Sequence, residues 1–447
     1  MAEPNLAARS HAETLWQRII NAFVRDGMLP PGNPTPAQIA HHADRLRGDS
    51  HASRFVDAYY YPHTFGGGNG ALSDADAERL VAALEKPAKR PAIVPLLRGA
   101  AAVVGGKRYR TLRAAVRDAP DGAEIFVQPG VHRDPLVLDR PLALVGVGTL
   151  GTVVIESKRM PALTLASDGI MLSRLVVRRA GEATRENRCA LDVDSGRALV
   201  EDCEIVGGPT DGIWIRVGAD PTFRRCAVRE CGGGGVWIGR GAAARFEDCT
   251  FHESHDAGVE VLGNARFVGC TIANGASHGV LADEGGTVLE RCTIRDNAGI
   301  GVWARASAGP ILRDCTIRAS GRSGIHVGDG ANVTLERCDL AKNTHSGLDV
   351  ADGRAIVRGS RVRENAYYGI LVHDGGRALV DECSVVDNAD SGIGVRAGCE
   401  IELTRSHVSG NAQYGLLVTA GARHVVERST ITGNVIGDVG ADKPRRG

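Results

Sequence analysis

Three registers repeat in step through the C-terminal part of the 447-residue chain and constrain its fold more than any other feature. Cys203, Cys226, Cys249, Cys270, Cys292, Cys315, Cys338, Ser360, Cys383, Ser406 and Ser429 follow one another at intervals of 21 to 23 residues. Glycines from Gly212 to Gly415 keep the same step, each opening a segment G-[IVL]-x-[VIA]-x. A third column, Asn274, Asn297, Ser320, Asn343, Asn365, Asn388, Asn411 and Asn434, lies in the turn before each glycine. A period of this length is the mark of a solenoid, whose single repeat cannot bury its apolar face but whose stacked repeats form a continuous core.

One repeat, Gly369 to Ser391, holds three runs of period-two alternation separated by Gly, Asp and Asn turns, which reads as three short strands. Apolar residues recur at matching offsets, for instance Ile213, Val236 and Val259 in one column and Phe223, Phe246 and Phe267 in another. The predicted fold class is therefore all-β, a right-handed parallel β-helix with three strands per coil, preceded by a small N-terminal α-helical domain. Boundaries are read as 1–86 for the helical domain, 87–105 for a Pro/Ala linker, 106–436 for the β-helix and 437–447 for a tail. In the helical domain, Leu15, Trp16, Ile19, Ile20 and Phe23 recur at helical spacing, a second helix is expected after Thr35-Pro36, and Ser73-Asp74 is read as the cap of a third. A short amphipathic helix after Tyr109 is expected to plug the N-terminal end of the stack, where bare strand edges invite aggregation. No cap is apparent at the far end, so an end-to-end or partner contact there is an expectation.

The cysteine column fits a tight interior corner, and buried free thiols are expected in place of disulfides or metal ligands. The Asn column is expected to be architectural, each amide tolerating the left-handed conformation and bonding its neighbours above and below. Fifty-three basic and 53 acidic side chains give no electrostatic footprint for nucleic acid. There is no 18-residue apolar run for a membrane span. The first residues, MAEPNLAARSHAETLW, lack a basic and then apolar leader, so the expected location is cytoplasmic, in a bacterial-type protein. No cofactor and no metal site are expected. Gly146 to Gly151 matches GxGxxG, but turn glycines explain it without a nucleotide.

The opening TLRAAVRDAPDGAEIFVQPG, followed by C-x-I-x-x-N-x-x-x-G-[IVL]-x-V coils, resembles the pectin-lyase-like superfamily. Within it the chain is similar to the Cys- and Asn-laddered branch that includes periplasmic copper-maturation β-helix proteins and mannuronan epimerases. The resemblance covers roughly residues 107 to 436 and implies the fold. It spans lyases, hydrolases, esterases, epimerases and non-catalytic members, so it does not select an activity. The catalytic signatures of polygalacturonases, pectate lyases and alginate epimerases are absent, and no site residue carries over. The N-terminal segment LW...TP...YYYP-x-x-FGG...LSDADAERL is loosely similar to a domain of unknown function in bacterial transglutaminase-associated membrane proteins.

Chemistry is then sought on outward positions, the third and fifth of each G-x-x-x-x strand. The third-position column reads Trp214, Trp237, Glu260, Leu281, Trp303, His326, Asp349, Leu371, Gly394, Leu417, and so carries three of the chain's four tryptophans. Exposed Trp in a chain with 4% aromatics reads as a binding surface for an extended glycan or a peptide segment of a partner. Arg216 and Arg305 beside it are expected to hold ligand carboxylates in bidentate fashion, with Glu260, Arg322 and His345 completing the candidate binding set. The bland alternative is that a loop or the N-terminal domain covers the stripe. His326 and Asp349 are expected one strand spacing apart, about 4.8 Å, as a base and its orienting carboxylate, with Tyr368 or His373 as the opposing acid. Three readings follow: a binding module, an enzyme of the lyase, epimerase or peptide-modifying kind, and a structural spacer.

Overall fold

The structure, a computed structural model, describes residues 6–25, 39–40, 52, 55–56, 73–85, 100–182 and 189–442. The chain divides into two compact units, Met1–Pro95 and Leu96–Gly447. In the first, helices α1 (Leu6–Arg25) and α2 (Asp74–Glu85) share a core of Leu15, Trp16, Ile19, Val81 and Leu84 with Phe55. The Trp16 and Phe55 rings stack at 6.4 Å, and Arg18 pairs with Glu78 at 2.8 Å. Ser73 starts α2 by accepting the Asp76 N–H at 3.2 Å, which satisfies one of the donors a helix start leaves open. Apart from residues 39–40, the helix expected after Thr35-Pro36 lies outside the described residues, as does the YYYPHTFGGG segment.

The second unit is a solenoid of three sheets with 16, 14 and 14 strands, each strand pairing in parallel with its counterpart one coil on. The N-terminal end departs from this pattern. Ala102–Val104 runs antiparallel to both Lys107–Tyr109 and Ala123–Val127, so residues read from sequence as the end of a linker form a capping hairpin instead. Helix α3 (Leu112–Asp118) follows, with Thr111 accepting the Ala114 N–H at 3.2 Å and Leu112, Ala115 and Val116 buried in the coil core. The expected plug is thus in place. At the other end, Gly437–Asp442 pairs in parallel with Tyr414–Thr419, so the stack runs through residues read as a tail. Among those residues Val439 is 62% exposed, and Val426, which occupies a core column, is 40% exposed where Leu403 one coil earlier is fully buried.

Inward columns stack as the pattern required. The Phe223, Phe246 and Phe267 rings lie nearly parallel, with centroids 4.8 and 5.0 Å apart. All 11 cysteines are free and buried. Burial pushes the Cys203 thiol up to about 12 and the Cys383 thiol up to about 11, so thiolate chemistry is suppressed there. Every member of the Cys/Ser column follows a residue in the left-handed conformation, among them Asp202, Arg225, Asp248, Gly269 and Arg291. That residue turns the chain sharply between the first and second sheets.

The Asn column is architectural, with two corrections. Asn343, Asn365, Asn388 and Asn411 each donate through Nδ2 to the next amide's Oδ1 at 2.8 to 2.9 Å, and the same oxygens accept backbone N–H groups. The left-handed residue, however, is the one before the amide: Asp296, Ala319, Lys342, Glu364 and Asp387. Asn274 belongs to that preceding column, and Gly275 occupies the ladder position, giving its N–H to Asn297 Oδ1 at 3.0 Å. Gly275 lies five residues after Cys270, the offset of Asn297 from Cys292, so matching by residue type instead of by offset misplaces this rung by one residue.

Candidate functional site

The third-position residues align on the outer face of the third sheet as one register, from Asp192 opposite Trp214 through Trp237, Glu260, Leu281, Trp303, His326 and Asp349 to Leu371. Asp192 is buried and each of the others is half-buried between buried inward neighbours, so the column from Trp214 onward is a surface feature fixed by core packing.

The tryptophans are held firmly. Trp214 donates its indole N–H to Asp211 at 2.6 Å, and its ring lies 5.2 Å from Trp237 at a 43° tilt. Trp237 reclines over Gly239, where a Cβ would come within 2.8 Å of its six-membered ring. The arginines do not stand free for a ligand, contrary to the sequence expectation. Arg216 grips Asp192 through two bonds of 2.8 and 2.9 Å, and Arg305 grips Asp283 at 2.8 and 3.2 Å. Both guanidiniums also flank the indoles, at 5.5 Å from Trp214 and 5.1 Å from Trp303. Their bidentate capacity is spent on an aspartate one coil earlier, and they buttress the rings. Glu260 sits between Trp237 and Leu281 and makes no hydrogen bond or ion pair among the described residues. Burial, then the Asp283 charge, pushes its carboxyl above the usual range.

Further along the column, Asp349 joins two imidazoles. Its Oδ2 meets His326 Nδ1 at 3.0 Å, and its Oδ1 meets His373 Nε2 at 2.8 Å. Burial pushes the Asp349 carboxyl up, but the two imidazoles outweigh it and hold it below the usual carboxylate range. His373 is engaged at its other nitrogen too, with Asp374 at 2.8 Å. Two carboxylates at both ring nitrogens are both satisfied only by a doubly protonated ring. Tyr368 is not placed as an acid for this trio: it is 3% exposed, lies over Gly394, and its hydroxyl accepts from Arg396 at 3.1 Å. Arg322 and His345 stand exposed on the turns before their strands and make no side-chain hydrogen bond to the trio among the described residues. His326 and Asp349 are therefore brought together as the spacing predicted, with His373 on the far oxygen.

Sequence reasoning missed His278, which accepts the Ile300 N–H through Nδ1 at 3.0 Å and meets Trp303 edge-on at 4.9 Å. Burial and then Arg322 hold this imidazole below its ordinary value. It occupies the offset just before the glycine, the same one that singled out Tyr368, so the signal was available. Asp192 was missed because Ala190 stands in its coil where later coils have the marker glycine. Shallow open hollows lie elsewhere, along turns near Asn274–Gly321 and Arg337–Ser384. The site is a ridge of rings and carboxylates on a flat sheet.

The sequence matches the family described as "Right handed beta helix region" over residues 167–269, 257–376 and 301–442. No curated protein matches it. Among solved structures, the A-module of a mannuronan C-5 epimerase from Azotobacter vinelandii is 14% identical with a TM-score of 0.44, over 75% of this chain and 94% of that one. The catalytic unit of an α-1,3-glucanase from Streptomyces thermodiastaticus is 14% identical at 0.44, over 73% and 67%. The N-terminal fragment of bacteriophage Phi29 gene product 12 is 11% identical at 0.49, over 71% and 68%.

Proposed function

This chain belongs to the right-handed β-helix family, and we propose that the outer face of its third sheet binds a glycan chain laid along the coil stack. The observation that carries the reading is the register of Trp214, Trp237 and Trp303 on one half-exposed column. Flat indole faces take up sugar rings, and here each ring is held in place before any ligand arrives, which lowers the entropy lost on binding. The spacing favours sugar over peptide. Successive coils rise about 4.8 Å, close to the length of one pyranose unit, whereas same-side residues of an extended peptide recur at about 6.6 Å. A glycan can keep step with the column, and a strand-like peptide running along it cannot.

Changing Trp214, Trp237 and Trp303 together to Ala while monitoring retention on a panel of immobilised polysaccharides tests this. Loss of retention with unchanged unfolding supports it, and identical retention refutes it and leaves the spacer reading.

The His326–Asp349–His373 trio favours a second reading, catalysis on the bound chain. In that reading His326 is the base, because its Nε2 is the ring nitrogen of the trio without a carboxylate, and Asp349 orients it. Products released from a retained polysaccharide by the wild type and not by His326→Ala would support it; their equal absence would refute it.

A further inference from the structure

We propose that the glycan this face takes is cationic, an amino-sugar polymer whose ammonium group is received by Glu260 against the Trp237 ring. The proposal rests on the glycan reading and names its substrate class.

The argument is one of charge accounting along the column. Two cations border the tryptophans, and each is already neutralised inside the fold, Arg216 by Asp192 and Arg305 by Asp283. Asp211 accepts the Trp214 indole N–H and the Gly234 N–H. Glu260 has no partner at all among the described residues, yet it is half-buried. The charges that act on it are three carboxylates, Asp283, Asp211 and Asp256, against the single guanidinium of Arg305. His278 adds no counter-charge, since its Nδ1 accepts an N–H and so carries no proton. The aromatic stretch from Trp214 to Trp303 is therefore net acidic.

Three classes of glycan can be weighed against that surface. A uronate polymer would bring carboxylates to the surplus negative charge around Glu260, where Arg216 and Arg305 are both committed and the exposed Arg322 lies off at the Trp303 end, beside His278. A neutral polymer would return hydroxyl donors to Glu260 but no countercharge, so a half-buried carboxylate would exchange its remaining water for neutral hydrogen bonds alone. An ammonium-bearing sugar supplies the missing ion pair, and the neighbouring indole face adds cation–π attraction that strengthens as water leaves. Trp237 and Glu260 are register partners one coil apart, the separation of an amine from its own sugar ring or the next.

The test compares three probes of equal length by calorimetry: a β-1,4-linked glucosamine oligomer, its fully N-acetylated counterpart and an oligouronate. The expected result is tightest binding of the glucosamine oligomer. Glu260→Gln should weaken it by about tenfold or more while changing the N-acetylated probe by less than about twofold. Equal binding of the acetylated or uronate probe, or a glucosamine affinity unmoved by Glu260→Gln, overturns the cationic assignment and leaves the glycan reading standing. An oligolysine that binds as tightly as the glucosamine oligomer overturns the assignment to a sugar. Failure of every glycan probe on a folded protein removes the glycan reading and this inference with it.

Discussion

The Phe223–Phe246–Phe267 stack allows the solenoid's one-dimensional energetics to be tested ring by ring. Phe246 is fully buried, stacked between Phe223 at 4.8 Å and Phe267 at 5.0 Å, and also meets Phe251 edge-on at 5.4 Å. Phe223 has a ring contact with Phe246 alone among the described residues. Each aromatic pair contributes about 0.5 to 1.5 kcal/mol beyond area burial, so Phe246→Leu should cost roughly 1 to 3 kcal/mol more than Phe223→Leu. Adjacent rings should couple and separated rings should not. A double-mutant cycle on Phe223 and Phe246 should give a coupling of about 0.5 to 1.5 kcal/mol. The cycle on Phe223 and Phe267, two strand spacings or about 9.6 Å apart, should be additive to within about 0.5 kcal/mol. Urea midpoints at constant m-value measure both, with hydrogen exchange in the Cys226, Cys249 and Cys270 coils reporting where stability is lost. Coupling of Phe223 to Phe267 as strong as to Phe246 would refute the nearest-neighbour account.

Three further outcomes follow from individual contacts. Gly239→Ala places a methyl within 2.8 Å of the Trp237 ring and should lift that indole outward, seen as a red-shifted Trp emission and weaker glycan retention with little change in unfolding. In His326→Ala/His373→Ala, both imidazoles are gone and burial is the largest influence left on Asp349 beside the Ser323 hydroxyl at 3.5 Å, so its carboxyl should move from below the ordinary value of about 3.9 to above it in a carbon-13 NMR titration. The stabilisation this carboxylate lends the wild type is fully present above that ordinary value and lost as pH falls through its depressed folded-state value; an unchanged acid-unfolding midpoint in the double variant would contradict it. Asn388→Ala removes the acceptor of the Asn365 N–H and of one Nδ2 hydrogen inside the core, leaving only the Nδ2 bond to Leu340 O, and should cost about 2 kcal/mol or more by urea unfolding.

The coil architecture and the outward column were legible because period and alternation are sequence properties. Once Gly212, Gly235 and Gly258 are set in register, Trp214, Trp237 and Glu260 must share a face. The partners of those residues were less legible. That Arg216 turns to Asp192 depends on a carboxylate in an irregular coil, and that Arg305 turns to Asp283 depends on which way two long side chains lean along one strand row. Spacing could not separate a guanidinium open to ligand from one already committed. The Asn274 misplacement has a different cause: an asparagine at the left-handed position beside a glycine on the rung mimics the column by residue type, although the offset from Cys270 points to Gly275. The capping hairpin at Ala102–Val104 and the last strand at Gly437–Asp442 were missed because end coils have only one neighbour to reveal their pairing.

Because one screw step relates each coil to the next, length here comes in whole units. Excising Cys226 to Asp248, 23 residues, would bring Cys203 against Cys249 and Phe223 against Phe267 with every hydrogen-bonded row rejoined. It would also remove Trp237 and set Trp214 beside Glu260. An excision of half that size would turn core side chains into solvent. Insertions and deletions compatible with this scaffold therefore lengthen or shorten its ligand track by one rung at a time, which makes rung number a heritable trait separable from the chemistry of any rung.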